Sequence, residues 1–126
     1  MKPFRLDQAA IAISGLCIVH CVASLAGLFA VGLLSTFGWV DEWFHRALLL
    51  VILPTSTLAL FSGYRQHRRA GMLLSGILAL TMLTTLTTFE EALHGSVWEP
   101  VLTTLAGFCL ILSHILNIRS CRQCDV

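Results

Sequence analysis

The charged residues of this 126-residue chain fall in short clusters, separated by long stretches that contain none. Four stretches lack Asp, Glu, Lys and Arg entirely: residues 8–40, 47–64, 70–89 and 100–118. Three of them are close to the roughly 20 residues that a helix needs to cross a bilayer, and the first is longer. Only helices or closed barrels satisfy their backbone in lipid, and these runs lack the alternation of a barrel strand. The sequence therefore predicts an all-α, integral membrane four-helix bundle.

The predicted spans cover approximately residues 9–34, 46–64, 70–89 and 99–118, within a single domain over residues 1–126. The alternative for the first run is a signal peptide, because Lys2 and Arg5 resemble a basic leader. However, the apolar part of a signal peptide is usually about 7–15 residues long, and this run is much longer. Composition agrees with a membrane protein, since charged residues make up only 12% of the chain.

The distribution of basic residues predicts which side of the membrane each loop faces. Seven Lys and Arg residues lie at the two ends of the sequence and between spans two and three, whereas the opposite loops contain only Arg46. Most of the acids, and all three tryptophans, lie on the side of Arg46. By the positive-inside rule, we expect the N- and C-termini to be cytoplasmic.

Three metal-ligand residues interrupt the first apolar run, which reads SGLCIVHCVASL over residues 14–25. On a helix Cys17 and Cys21 stack on one face, and His20 lies on its flank. Side chains four residues apart have Cβ atoms about 5–6 Å apart, which suits two sulfurs on opposite sides of one ion. A single cysteine here would be read as a packing residue. Two thiols with an imidazole instead predict a site for a soft or borderline metal ion.

A second pair of thiols, Cys121 and Cys124, forms a Cys-x-x-Cys motif at the end of the sequence. In the cytoplasm such a pair stays reduced, so we do not expect a structural disulfide. Neighbouring arginines favour the thiolate form. We predict a second metal site here, with redox chemistry as the weaker alternative.

Further candidate ligands lie at the outer ends of the spans, where acidic residues precede a histidine. Such an acidic vestibule raises the local concentration of cations, although membrane topology alone leaves acids on this side. These secondary candidates are Asp41, Glu42, His45, Glu91 and His94.

Two histidines, His20 and His114, lie inside predicted spans. His114 is either a metal ligand or a core residue that pairs with His20 or with a threonine of span three. Two intramembrane histidines on different helices can also be the axial ligands of a haem, so a membrane haem protein is an alternative function.

Several segments together carry a resemblance to a known family. They are Gly15-Leu16-Cys17 through His20-Cys21, Asp41-Glu42-Trp43-Phe44-His45, Gly63-Tyr64-Arg65-Gln66-His67-Arg68, and His114-Ile115-Leu116-Asn117 with Cys121. The sequence resembles the MerC-type mercury-resistance membrane proteins over nearly its whole length. The resemblance implies four spans in a bacterial inner membrane and inward transport of Hg(II). It gives the role of the first cysteine pair to Cys17 and Cys21, and that of the second pair to Cys121 and Cys124.

One departure from the family pattern concerns the ion. The mercury carriers have adjacent cysteines in span one, whereas here His20 precedes Cys21 and the partner thiol is Cys17. A Cys/His set is less purely thiophilic, so Zn(II) and Cu(I) are alternatives to Hg(II).

The expected function is therefore transport of a soft metal cation by thiolate and imidazole ligand exchange, without catalysis and without a permanently bound cofactor. The expected partners are the metal ion, the lipid bilayer, cytoplasmic thiol acceptors and a second copy of the chain, but not nucleic acid. A metal-binding accessory protein that does not transport is the remaining alternative.

Overall fold

The computed structural model describes residues 3–31, 38–89 and 96–124, and side chains for residues 4–26, 43–89 and 96–124. Within these ranges the chain forms helices and no strand: α1 (Pro3–Val31), α2 (Gly38–His67), α3 (Ala70–Thr88) and α4 (Trp98–Cys124). Each contains a segment long and apolar enough to cross a membrane: Phe4–Ala26, Trp43–His67, Ala70–Thr88 and Trp98–Cys124. The predicted all-α fold with four membrane-spanning helices is confirmed.

Helix α4 contacts each of the other three helices, and its most extensive contact is with α1. Its buried face is made mostly of small and polar residues: Thr103, Ala106, Gly107, Leu110, Ser113, His114, Asn117 and Ser120. The outward faces are apolar, with Leu50 76% and Leu78 71% exposed. This distribution is typical of a membrane bundle, in which lipid covers the apolar faces and polar groups turn toward neighbouring helices.

Close helix contacts depend on glycine at two positions. A Cβ atom at Gly63 on α2 would overlap the side-chain amide of Asn117, and one at Gly76 on α3 would overlap the side chain of Leu60. Helices in lipid associate through close van der Waals packing because the hydrophobic effect between them is small. Gly63 therefore allows α2 to approach the polar face of α4.

The turn between α2 and α3 fixes one end of the bundle. Arg68 adopts a left-handed conformation with φ of 57°, and its N–H donates to the Tyr64 carbonyl at 2.8 Å. The Arg69 guanidinium donates to Ser120 Oγ at 3.3 Å, in the last turns of α4. At the same end, the Arg122 guanidinium lies 5.1 Å from the ring centre of Phe4, near the start of α1. We refer to this end, where α1 starts and α4 finishes, as the basic end.

Candidate metal centre

Three side chains from two helices converge toward the opposite end of the bundle. Cys17 and Cys21 come from successive turns of α1, and His45 comes from the first turns of α2. Their sulfur and imidazole nitrogen atoms all lie within 4.8 Å of one another, and Cys21 Sγ is 3.5 Å from His45 Nε2. Cys17 and Cys21 are buried, while His45 is half-buried. We call these three residues the thiol cluster.

The donors of the thiol cluster determine which ions it can hold. Two thiolates and one imidazole suit soft and borderline metal ions. An ion that prefers two ligands needs only the two sulfurs, whereas tetrahedral zinc needs four ligands. The cluster therefore provides a complete site for a two-coordinate ion and three of the four ligands of a tetrahedral one.

His20, which the sequence predicts as a ligand, lies beside the thiol cluster and outside the 4.8 Å group. Its ring stacks on Phe44 with ring centres 4.0 Å apart. It also meets the His45 ring edge-on, with ring centres 5.6 Å apart. The histidine that lies within 4.8 Å of the two thiols is His45, one of the secondary candidates. The rings of His20 and Phe44 pack against it.

A cavity of about 20 Å³ adjoins the thiol cluster and is lined by Cys17 and His45. Three hydroxyl residues, Ser14, Thr87 and Thr103, also line it. Thr87 and Thr103 donate their hydroxyl protons to carbonyls one turn earlier in their own helices, at 3.0 and 2.8 Å. Ser14 is 1% exposed. Its Oγ is the one buried side-chain oxygen or nitrogen, among those the structure describes, without a hydrogen-bond partner.

A second polar group lies nearer the basic end, and we call it the carboxylate network. His114 Nδ1 is 2.6 Å from Asp7 Oδ1, and His114 Nε2 is 3.0 Å from Ser56 Oγ. Asn117 Nδ2 donates to both carboxylate oxygens of Asp7, at 3.1 and 3.0 Å. Asn117 Oδ1 is in turn 2.8 Å from Nε2 of His67. His114 is thus hydrogen-bonded at both ring nitrogens, and it does not lie in the thiol cluster.

The two intramembrane histidines lie at different depths. Asp7, the partner of His114, precedes His20 by 13 residues on α1, which is about 20 Å of helix. Two axial ligands approach one haem iron from opposite sides and so must lie at a similar depth. The arrangement of His20 and His114 does not provide such a pair.

The C-terminal thiols lie in the last turns of α4, where Cys121 is half-buried and Cys124 is exposed. None of the five cysteines, all of which lie in described ranges, forms a disulfide. Phe4, which packs against Arg122, precedes Cys21 by 17 residues, or about 25 Å of helix. The structure therefore places the two pairs of thiols toward opposite ends of the bundle and does not bring them together.

The remaining candidate ligands cannot be placed as side chains. Asp41 and Glu42 lie in the first turns of α2, where the backbone alone is described. Glu91 and His94 lie outside the described residues. Their role as ligands stays a prediction.

Asp7 and Ser14 are not among the site residues predicted from the sequence. Asp7 was expected on the cytoplasmic side of a span beginning near residue 9, but α1 begins at Pro3 and carries Asp7 into the bundle. Asp7, Ser14 and Cys21 follow one another at intervals of seven residues and so share one face of α1. That spacing was the available signal in the sequence. The partner of His114 is Asp7 rather than His20 or a span-three threonine.

Comparison with known proteins identifies one family. A family model described as MerC mercury resistance protein matches residues 7–119. The matched region contains the thiol cluster and the carboxylate network, and it ends before Cys121 and Cys124. No curated protein and no solved structure matches the chain at a significant level. Because the family model spans most of the sequence, from Asp7 through the last turns of α4, the chain belongs to the MerC mercury resistance family.

Proposed function

We propose that this protein carries a soft heavy-metal cation across the bacterial inner membrane, and that Hg(II) is its principal substrate. The observation that carries the proposal is the convergence of Cys17, Cys21 and His45 within 4.8 Å inside a membrane bundle. Membership of the MerC mercury resistance family supports Hg(II) as the ion. Two thiolates suit this ion because it is soft and accepts two ligands.

In this proposal both termini lie in the cytoplasm, as the excess of arginine and lysine at the basic end favours. The thiol cluster then belongs to the outer half of the bundle. His45, which is half-buried, meets the incoming ion first and passes it to the buried sulfurs of Cys17 and Cys21. A neutral imidazole releases an ion more readily than a thiolate does, so this order runs from the weaker to the stronger ligands.

Release occurs at the basic end. Cys121 and Cys124 receive the ion there, and cytoplasmic thiols remove it from them. At each of the two sites an incoming ligand forms its bond to the metal before an existing metal–ligand bond breaks. The two pairs of thiols lie toward opposite ends of the bundle, about 20–25 Å apart as measured along α1 from Phe4, so the ion crosses the interior of the bundle between them and does not pass by direct exchange.

A second candidate function is the uptake of zinc or copper by the same site. The observation that favours it is the imidazole of His45, 3.5 Å from Cys21 Sγ. A nitrogen donor next to two sulfurs suits borderline ions such as Zn(II) better than an all-thiolate site does.

The test is uptake of Hg(II) and of Zn(II), in parallel, by cells with and without this protein. The Cys17→Ser/Cys21→Ser variant should lose uptake at an unchanged membrane level of the protein. The matched control is Cys109→Ser, because Cys109 is an exposed thiol on α4 outside the cluster. Thiol-dependent uptake of Hg(II) supports the principal proposal, and thiol-dependent uptake of Zn(II) alone supports the second. Uptake that persists in the double variant would contradict both.

A further inference from the structure

The cavity beside the thiol cluster has a polar feature that packing does not explain. The hydroxyl of Ser14 is buried, and no side chain or carbonyl in the described residues bonds to it. A buried hydroxyl without a partner is destabilising, because it loses its hydration and gains no hydrogen bond in return. Serines in membrane helices normally avoid this cost by donating to a carbonyl of their own helix. Ser14 instead lines the cavity shared with Cys17 and His45.

The size and lining of the cavity fit one water molecule. A cavity needs about 10–15 Å³ to hold a water, which must also find two to four polar partners, and this cavity measures about 20 Å³. Thr87 and Thr103 have used their hydroxyl protons on backbone carbonyls, so their oxygens remain as acceptors. Ser14 can donate or accept. The same cavity wall includes two residues of the thiol cluster.

From these observations we infer that the cavity holds the fourth ligand of a tetrahedral metal ion, a water molecule oriented by Ser14. The ion would be bound by Cys17 Sγ, Cys21 Sγ, an imidazole nitrogen of His45 and this water. Ser14 then acts as a positioning residue for the water and not as a ligand itself.

This inference rests on one part of the proposed function, namely that the thiol cluster binds a metal ion. It adds which ions the cluster can bind. Tetrahedral divalent ions such as Zn(II) and Cd(II) need the water to complete their coordination. Hg(II) bound by two sulfurs does not need it. Ser14 therefore extends the substrate range from two-coordinate to four-coordinate ions and is a specificity-determining residue.

The test is binding of Zn(II) and of Hg(II) to the purified full chain in detergent, measured by competition with chelators of known affinity. Ser14→Ala should weaken Zn(II) binding by about 10- to 100-fold, the usual effect of removing a group that orients a metal ligand. Hg(II) binding should not change. The matched control is Ser113→Ala. Ser113 is also a buried serine, but it lies outside the cluster, and its hydroxyl is 2.9 Å from the hydroxyl of Ser75.

The possible outcomes separate the inference from the proposed function. A selective loss of Zn(II) affinity in Ser14→Ala supports the inference. Equal losses for both ions indicate a packing role for Ser14, and no loss for either ion means that Ser14 does not hold the water; both results overturn the inference. If the native protein binds neither ion, the proposed function itself fails.

A second measurement needs no variant. X-ray absorption at the zinc edge of the native protein loaded with one Zn(II) should give two sulfur ligands and two lighter ligands at about 2.0–2.2 Å, with the outer-shell scattering of one imidazole only. A three-coordinate zinc, a third sulfur ligand, or the scattering of a second imidazole would overturn the inference even if Ser14→Ala fails to fold.

Discussion

The thiol cluster and the carboxylate network lie on the same buried face of α1, about 15–20 Å apart, yet their polar atoms are satisfied in different ways. In the carboxylate network Asp7 bonds both His114 and Asn117, at 2.6–3.1 Å. In the thiol cluster the Cys17 thiol is hydrogen-bonded to Cys21 and to His45, and Cys21 Sγ lies 3.5 Å from His45 Nε2. The network is thus held by short bonds between oxygen and nitrogen, whereas the cluster is held by longer contacts to sulfur, beside a serine that has no hydrogen-bond partner among the described residues.

This difference shows two ways of placing polar side chains inside a membrane bundle. Ionisable groups within a bilayer are costly unless they are paired, and unpaired ones mark functional sites. The carboxylate network joins α1, α2 and α4 through hydrogen bonds, so its main contribution is to hold the helices together. The thiol cluster has soft donors, whose hydrogen bonds to one another are weak and which are the ligand types that soft metal ions prefer.

Among variants that test this difference between the two sites, Asp7→Ala should have the largest effect on stability. It leaves His114 and Asn117 without their buried partner, which should lower the free energy of unfolding by about 3–5 kcal/mol, as when one member of a buried pair is removed. The measurement is thermal unfolding of the purified protein in detergent. Cys17→Ala, the matched truncation in the thiol cluster, should cost much less, since a thiol is a weak hydrogen-bonding group. Equal destabilisation by the two variants would remove the distinction between the sites.

The next effect concerns the thiol cluster alone. His45→Ala should weaken Zn(II) binding by at least about a hundredfold. Removing a group that only orients a metal ligand already costs up to about a hundredfold in affinity, and His45 is expected to bind the ion directly. Hg(II) binding should change little because both sulfurs remain. Chelator competition measures both affinities, and His67→Ala, outside the cluster, is the control. A parallel loss of Hg(II) affinity would show that the imidazole is as important to that ion as the sulfurs are.

A smaller effect is expected from Gly63→Ala, which disturbs the carboxylate network through packing. The added Cβ overlaps the side-chain amide of Asn117, so we expect a loss of about 1–3 kcal/mol in the free energy of unfolding, the usual cost of overpacking. Gly71→Ala is the control, since a Cβ there meets nothing within 4 Å. Metal affinity at the thiol cluster should stay the same in both variants. A change in metal affinity with Gly63→Ala would show that the two sites are coupled.

The smallest effect should come from Arg68→Gly, in the turn at the basic end. Arg68 has φ of 57°, a conformation that costs a non-glycine residue about 1–2 kcal/mol. Glycine removes this strain but has more freedom in the unfolded chain, so the net gain in stability should be below about 1 kcal/mol. The measurement is the midpoint temperature of thermal unfolding, which should rise in Arg68→Gly. Arg65→Gly, inside the last turns of α2, should lower it. A lower midpoint for Arg68→Gly would mean that the Arg68 side chain stabilises the turn.

The sequence was enough to predict the fold because charge-free runs of membrane length have few alternatives. Helix ends were harder to predict. Helix α1 begins at Pro3 and α2 runs from Gly38 to His67, beyond the apolar runs from which the spans were read. Hydrophobicity marks the part of a helix that lies in lipid, and charged residues at the interface continue the same helix. Asp7 lies inside the bundle because α1 continues past the end of the apolar run to Pro3.

The candidate site was predictable in part. The spacing of Cys17 and Cys21 places both on one face of a helix whatever the tertiary structure is. The position of His45 next to the two thiols depends on how α2 lies against α1, which no local pattern of either helix specifies, and the role of His20 as a ligand stays a prediction. The pairing of Asp7 with His114 likewise joins residues 107 positions apart, and only the packed bundle brings them together.

The hydroxyl of Ser56 gives the carboxylate network a further property. It lies 3.0 Å from His114 Nε2, and a hydroxyl can rotate either to donate or to accept. Asp7 bonds the other ring nitrogen at 2.6 Å. The imidazole therefore cannot turn about its bond to Cβ without breaking both hydrogen bonds, and His114 acts as a fixed strut between α1 and α2.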